Sequence, residues 1–346
     1  MSTLKFGLAA MAATAWLAGA PVAWAADPAP ATYDLPATPT TVVWGNYNAA
    51  SKPVLTIRSG DTVVFHTLLT NSPAGLAKAG VPDDQIEQSL KEVFNKVTDR
   101  GPGGHILNGP VSIEGAEPGD TVEVRILKID LAIPYGYNGF RYGAGFQTEE
   151  FPYAKTKIIP LDRDKMIGHF APGIDIPLHP FFGSMGVAPP PAVGRYDSAP
   201  PTFIGGNMDN KELQVGSTVY FPVFVPGALF EIGDGHANQG NGESDITAIE
   251  TSLVGTLQFI LHKHTGQTYP RAETATHYIA MGFDDDLTVA THRAIDQMID
   301  FLVAEKHMTR DEAYMLISVA ADVDITELVD RNKGVHVMMP KAVFVK

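Results

Sequence analysis

The 346-residue chain contains no cysteine. That excludes a disulfide framework, Cys-ligated zinc, an iron–sulfur cluster and a thiol nucleophile. Positive charge is scarce: 25 Lys+Arg stand against 39 Asp+Glu, a formal net charge of −14. Nucleic-acid backbones and anionic lipid surfaces are both bound through Lys and Arg, so neither is an expected partner. There is no G-x-S-x-G elbow, Walker loop, H-E-x-x-H helix or dinucleotide fingerprint, which removes the commonest serine-hydrolase, nucleotide and zincin chemistries. The longest apolar run near the start, Phe6 to Ala20, is shorter than the roughly 20 residues a spanning helix needs. It follows Lys5 and precedes Ala23-Trp24-Ala25. The pattern is that of a secretory signal peptide over residues 1–25, cleaved near Ala25, with a secreted or periplasmic product that is not held in the membrane.

What the chain does have is 45% hydrophobic residues, 33 Gly and 26 Pro, a composition for a real core with many strands and turns. Residues 26–40 are rich in Pro and Ala and read as a flexible leader. From there short β-like runs follow one another. One turn-plus-strand unit occurs three times, as Gly60-Asp61-Thr62-Val63, Gly119-Asp120-Thr121-Val122 and Gly216-Ser217-Thr218-Val219; each joins a turn pair to a β-branched run. In Val122–Ile129, Val122, Val124 and Ile126 share one face, as in a half-buried strand. Pro82–Val97 has helical spacing. Residues 134–210, dense in Gly, Pro and aromatics, read as long loops held by aromatic packing.

The last part changes character. Asp285–Glu305 has an amphipathic helical period, Thr309 to Glu312 is a capping box ahead of a second helix at Arg310–Ala320, and Thr326–Arg331 reads as a short third helix before a strand-like tail. The expected fold is therefore mainly β, with sandwich or barrel-like parts in a core over 41–265, and a smaller α/β portion over 266–346 packed on it.

Polar groups gather in the glycine-rich segments. Gly233-Asp234-Gly235-His236 ends the apolar run Val219–Phe230. A carboxylate and an imidazole there are costly unless a metal, a substrate or the backbone satisfies them; a turn in which Asp234 bonds its own backbone is the alternative. Gly205-Gly206-Asn207-Met208-Asp209 is a second such segment, more readily read as a turn when taken alone. His105 follows the glycines at 101–104. Glu114 sits at a strand end, whereas Glu117 and Asp120 read as a surface turn. His105, Asp209, Asp234 and His236 together are a donor set that zinc accepts, although spacing does not show that they meet.

Taken together, HILNGPVSIEGAEPGDTVEVRIL (His105–Leu127), HPFFGSMGVAP (His179–Pro189), GGNMDNKEL (Gly205–Leu213), the segment from Ser217 to Glu243 with its GDGHANQGNGE, TAIET (Thr247–Thr251) and the stretch from Met281 to Lys341 resemble the acetamidase/formamidase family. The similarity runs over about Val42–Phe344 in the family's order. It implies a mainly β fold with a jelly-roll-like part and a smaller α/β part, a homo-oligomer of two or more chains, and a divalent metal, zinc or calcium. It also implies hydrolysis of a small amide, linear or cyclic, to a carboxylate and ammonia. Carried over by motif, it points to Asn207, Asp209, Asp234, His236, Glu243 and His105. The chain departs from the pattern at Asn238, where a small residue is usual, and at Asn241, where Asp is usual.

With no thiol or recognisable serine nucleophile, water activated by a metal is the expected attacker. His105, Asp209 and His236 are the expected ligands, with Asp234 as a fourth ligand or as their orienter. Glu243 or Glu114 is the expected proton carrier, and Asp234 is also a catalytic candidate. Gly205 and Gly206 offer backbone N–H groups for an oxyanion beside Asn207. Two other readings fit the same residues: a periplasmic protein that binds a small amide without turnover, and a calcium-stabilised structural β protein.

Overall fold

The computed structural model describes residues 1–2 and 29–345. Residues 3–28, and with them all but the first two residues of the expected signal peptide, lie outside the described residues. Two sheets face each other across the main core. The larger has nine strands, in spatial order Thr32–Pro36, Thr62–His66, Leu253–His262, Thr121–Leu131, Thr218–Pro222, Arg271–Glu273, His277–Asp284, Asn332–Pro340 and Asp322–Asp330. The other runs Gly205–Asn207, Phe181–Gly186, Phe230–His236, Ile106–Ile113 and Val42–Trp44, with Leu55–Ile57 pairing alongside Ile106–Ile113. Phe230 of this sheet packs against Phe65, Phe221 and Phe259 of the nine-stranded sheet, with ring centroids 6.1, 5.7 and 5.1 Å away. All four rings are buried. Each such ring contributes about 2–3 kcal/mol by leaving water, and together they tie the two layers.

The repeated turn-plus-strand unit sets three strands of the large sheet, which begin at Thr62, Thr121 and Thr218. Its glycines, Gly60, Gly119 and Gly216, have φ of 96°, 94° and 89°, values that side chains resist. The following Asp61 accepts from the backbone N–H of Ala31 and Arg58, and Asp120 from Glu117 and His264. Buried carboxylates thus satisfy the loop amides that a tight turn would leave unpaired. As the alternation requires, Val122, Val124 and Ile126 are buried while Arg125 and Leu127 are exposed.

Four expectations need correction. Residues 26–40 are not simply a leader, because Thr32–Pro36 is an edge strand parallel to Thr62–His66. Leu35 is buried in the core and Asp34 meets His66 at 2.7 Å; a parallel edge strand carries no turn signal in sequence. The segment 134–210 is not mainly loop: Tyr135–Phe140, Lys155–Asp162, Ile167–Ala171 and Ile174–Pro177 form a four-stranded sheet. Strand glycines here are packing residues: a Cβ on Gly136 would lie 2.7 Å from Ile249 Cγ2 and one on Gly139 2.8 Å from Lys155 O. Thr326–Arg331 is not helical. Asp322–Asp330 and Asn332–Pro340 form a hairpin, with Arg331 at its tip at φ 69°. Finally, the boundary at 265/266 is no break in the architecture, since Arg271–Glu273 pairs with Thr218–Pro222 and carries the same sheet into the C-terminal portion.

The two C-terminal helices appear where the periodicity places them, at Leu287–Lys306 and Arg310–Ala320. Asp286 caps the first, and Thr309 with Glu312 forms the capping box of the second. The first helix lies so close to the strand His277–Asp284 that a Cβ on Gly282 would collide with the backbone of Ala290 and Ala294. Gly282→Ala should therefore cost about 3 kcal/mol, the upper range for overpacking, measurable by urea unfolding.

His336, fully buried on the C-terminal hairpin, accepts or donates only at Nδ1, 2.7 Å from Thr326 Oγ1. Burial, aided by Lys211, pushes its pKa down to about 4; the Asp324 carboxylate is 3.9 Å away and half exposed to solvent. Unfolded His336 titrates near the ordinary value, so between about pH 6.5 and 4 the unfolded state takes the extra proton. The stability tied to neutral His336 is complete above that window and is lost as pH falls through it. On going from pH 7 to pH 4.5, wild type should lose about 2 kcal/mol more than His336→Gln, read as the difference in urea unfolding free energy.

Candidate functional site

The six-stranded sheet brings the glycine-rich motifs together. Gly205–Asn207 pairs with Phe181–Gly186, which pairs with Phe230–His236. An unbroken strand would keep Asp234 and His236 on the core face with Ile232. Asp234, at φ 57°, breaks that alternation. Asp209 and Glu243 are also left-handed, at φ 46° and 42°. Three acids of one site thus hold a backbone conformation that costs roughly 1–2 kcal/mol each for a residue with a Cβ.

His236 is the hub. Its Nε2 lies 3.3 Å from Asp234 Oδ2, 3.4 Å from Glu250 Oε1 and 3.8 Å from Asp209 Oδ1. Gln239 donates from Nε2 to the Asp209 carbonyl at 2.8 Å, so its Oε1 is left to accept from His236 Nδ1–H at 2.9 Å. That hydrogen bond commits Nδ1–H to Gln239 and leaves Nε2 facing the acids, as an N–H in the imidazolium that their charge favours and as a lone pair where a cation replaces that proton. His105 approaches the same Asp234 oxygen. Its Nδ1 is bonded to the Ser198 carbonyl at 3.0 Å, and its Nε2 is 3.8 Å from Asp234 Oδ2. Asn207 donates from Nδ2 to Asp209 and, at 3.0 Å, to Asp330 Oδ2 on the C-terminal hairpin. The neighbouring Glu327 is buried and accepts from the N–H of Val329 and Asp330.

Burial dominates the electrostatics. It pushes Asp209, Glu243, Glu250 and Asp330 above the usual carboxylate range, with mutual repulsion adding to it. Burial and then Asp330 raise Glu327 to about 8. Asp234 goes the other way: burial opposes its charge, but the imidazoles of His105 and His236 outweigh it and hold the carboxylate ionised. Glu250 and Asp234 likewise overcome the burial of His236 and raise it. So much buried negative charge around one imidazole needs protons or a cation.

The atoms present fit a cation. Asp209 Oδ1, His236 Nε2 and Glu243 Oε2 are all buried without a hydrogen-bond partner. A ligand atom from each of these three residues lies within 4.8 Å of the other two, as is also so for Asp234, His236 and Glu250. The space against them exists because residue 183 is glycine: a Cβ there would overlap Asp209 Oδ1 and sit 2.8 Å from both Asp234 Oδ2 and His236 Cε1.

Of the expected site residues, Asp209, Asp234, His236 and Glu243 meet in one buried cluster, with His105 and Asn207 against it. Glu114 does not join them. It is exposed on the turn that ends Ile106–Ile113, its N–H bonded to Ile57 O. Gly205 does not offer an oxyanion donor, because its N–H is spent on Thr202 O at 2.9 Å. A Cβ on Gly205 would strike the Phe221 ring, so this glycine serves close packing on the core. Gly206 pairs with Met185 in the sheet. Asn241 is exposed on its loop, so the missing carboxylate there takes nothing from the cluster. Gly183, Gln239, Glu250, Glu327 and Asp330 were not singled out from sequence, although all five lie inside segments that carry the family resemblance; nothing local marks them as site residues.

A two-sheet sandwich with a buried acid–histidine cluster at the end of its smaller sheet defines the class. A family model described as "Acetamidase/Formamidase family" matches residues 80–196 and 193–346, and the chain belongs to that family. It is 30% identical to a formamidase of Methylophilus methylotrophus and 30% identical to an acetamidase of Mycolicibacterium smegmatis, each over 40% of this chain and over 47% and 48% of the relative. The chain thus matches about half the length of these curated relatives. Among solved structures, an acetamidase from Yersinia enterocolitica superposes with a TM-score of 0.80 at 29% identity, covering 92% of this chain and 95% of the other. One from Bacillus halodurans does so with a TM-score of 0.76 at 30% identity, covering 90% and 98%.

Gly183→Ala should lower the unfolding midpoint, because the new Cβ must displace buried Asp209, Asp234 or His236, and should weaken divalent-cation binding to the folded protein by about tenfold to a hundredfold, the range set by disturbing a ligand shell. Calorimetric titration with zinc and with calcium measures it.

Proposed function

We propose that the protein hydrolyses the C–N bond of a small amide to a carboxylate and ammonia, at the cluster around His236. The observation that carries this reading is the set of unpartnered, buried donor atoms on Asp209, His236 and Glu243 beside the glycine cradle at 183. Family membership and the activities named for its relatives support it. Asp209, Asp234 and His236 would hold a divalent cation, with His105 against Asp234. A bound cation supplies Lewis acidity toward the amide carbonyl and lowers the pKa of water; zinc fits the imidazole and carboxylate donors, and calcium fits the excess of carboxylates.

This chain's own residues do the rest. Asn207 Oδ1 is buried and unpartnered, placed to accept from the substrate's N–H2 while its Nδ2 holds Asp209. Glu243, whose carboxylate a bound cation would keep ionised against the burial that raises its pKa, takes the proton of the attacking water as the C–O bond forms. It returns that proton to the nitrogen as the C–N bond breaks. Gln239 keeps His236 in one tautomer throughout. A structural calcium site predicts none of the free amide-binding capacity of Asn207, so the hydrolytic reading is favoured.

The A-x-A leader supports export of the mature chain. The exposed aromatics Tyr142, Phe146, Phe151 and Tyr153 support the homo-oligomer, since clustered apolar surface of this kind is commonly covered by another chain.

Purified protein should release ammonia from formamide, acetamide, propionamide or a five-membered lactam. Chelation should abolish release, and zinc or calcium should restore it. Asp209→Asn and His236→Gln should lower turnover by about a hundredfold or more, beyond the scale of outer-shell losses, with circular dichroism unchanged. Ligand binding with no ammonia released from any amide would overturn the hydrolytic reading.

A further inference from the structure

A cavity lies away from this cluster, where the helix Leu287–Lys306 crosses the strands Thr218–Pro222, Arg271–Glu273 and His277–Asp284. It encloses about 580 Å³, a size typical of small-molecule sites. Its walls are mixed: Tyr220, Tyr269, Tyr278 and Phe301 supply aromatic surface, and Arg271 and Gln297 supply donors.

Arg271 is the unusual member. Its guanidinium carbon lies 4.3 Å from the Tyr220 ring centroid and 5.1 Å from that of Phe301. Two aromatic contacts restrain the planar group and lower the entropy cost of using its donors. Yet among the described residues the guanidinium has no carboxylate partner and no hydrogen bond. The adjacent acid, Glu273, is spent elsewhere, accepting from Tyr220 Oη at 2.6 Å and pairing with Lys341 Nζ at 2.8 Å. Glu123, on the cavity wall, is held by Arg125 and His262. Asp300 is taken by Arg310. Glu305 is the remaining acid of the lining; it is exposed on the helix, where solvent screens its repulsion. Gln297 is half-buried and makes no side-chain hydrogen bond. A restrained, unpaired guanidinium is a bidentate receptor for a carboxylate.

We propose that this cavity is a binding site for a small organic carboxylate with an aromatic or bulky apolar tail. The carboxylate would take the fork of Arg271, and the tail would lie against Tyr269, Tyr278 and Phe301. The product of amide hydrolysis belongs to this chemical class, but the inference stands on the cavity and not on that reaction.

Isothermal titration of the full protein with benzoate tests it, beside Arg271→Gln, Arg271→Lys and Ala304→Trp. Ala304 is an exposed helix residue on the cavity lining, so tryptophan there narrows the cavity without touching Arg271 or the core. Benzoate should bind saturably. Arg271→Gln should weaken it at least tenfold, Arg271→Lys should fall between because charge remains without the fork, and Ala304→Trp should also weaken it. No saturation up to roughly 10 mM, weak even for a ligand of this size, would overturn the proposal. So would unchanged affinity in folded Arg271→Gln, or in Ala304→Trp if the arginine variants do not fold. A change of sedimentation coefficient in Arg271→Gln with no benzoate binding by wild type would assign the cavity to a subunit contact instead, again overturning it. Failure of amide turnover leaves the benzoate result standing.

Discussion

The structure is organised around negative charge that has been taken out of water and gathered about one imidazole. Asp209, Asp234, Glu243 and Glu250 are buried beside His236, and burial alone would protonate most of them. Only Asp234, flanked by two histidines, is held firmly ionised. Such an arrangement is unfavourable for a simple stabilising network, because each buried charge loses several kcal/mol of hydration. It is maintained by the backbone. Left-handed residues at 209, 234 and 243 turn carboxylates inward, Gly183 leaves the space between them, and Gln239 fixes the histidine that faces them. Strain of this kind persists only where surrounding packing over-determines it, and the aromatic contacts between the two sheets supply that packing.

The C-terminal portion is part of the same device. The nine-stranded sheet passes through it without a break, and its outer hairpin returns to the site. Asp330 takes a hydrogen bond from Asn207, and the N–H of Gly242, next to Glu243, bonds to Thr326 O at 2.9 Å. The loop that carries Glu243 is thereby held from the C-terminal hairpin. The same junction of sheet and helix that allows this continuity also leaves the Arg271 cavity, because a helix crossing a twisted sheet contacts it closely at Gly282 and diverges elsewhere.

How legible this was depended on whether the signal was local. The turn units at Gly60, Gly119 and Gly216 were legible because glycine and a side-chain acceptor at fixed spacing have few other uses. The helices were legible from period and caps. His105, Asp209, Asp234, His236 and Glu243 stood out as polar residues in apolar or glycine-rich surroundings, and they do converge. Glu114 looked similar by the same criterion, yet the turn after its strand exposes it. Gly205 and Gly206 looked like ligand-facing backbone and instead allow close packing and sheet pairing. Thr326–Arg331 has a composition that suits either helix or strand, and pairing with Asn332–Pro340 decided it.

The chain's own order of residues determined the β-rich class, the turn chemistry, the helix caps and the types of donor at the site, because each is a matter of neighbours within a few positions. Tertiary structure alone decided which donors meet. Glu250, Asp330 and Gly183 lie far apart along the chain from one another, and no local pattern says that a missing Cβ at 183 opens the space between carboxylates at 209 and 234. Likewise, only packing could show that Arg271 lies between two rings with no acid to answer it.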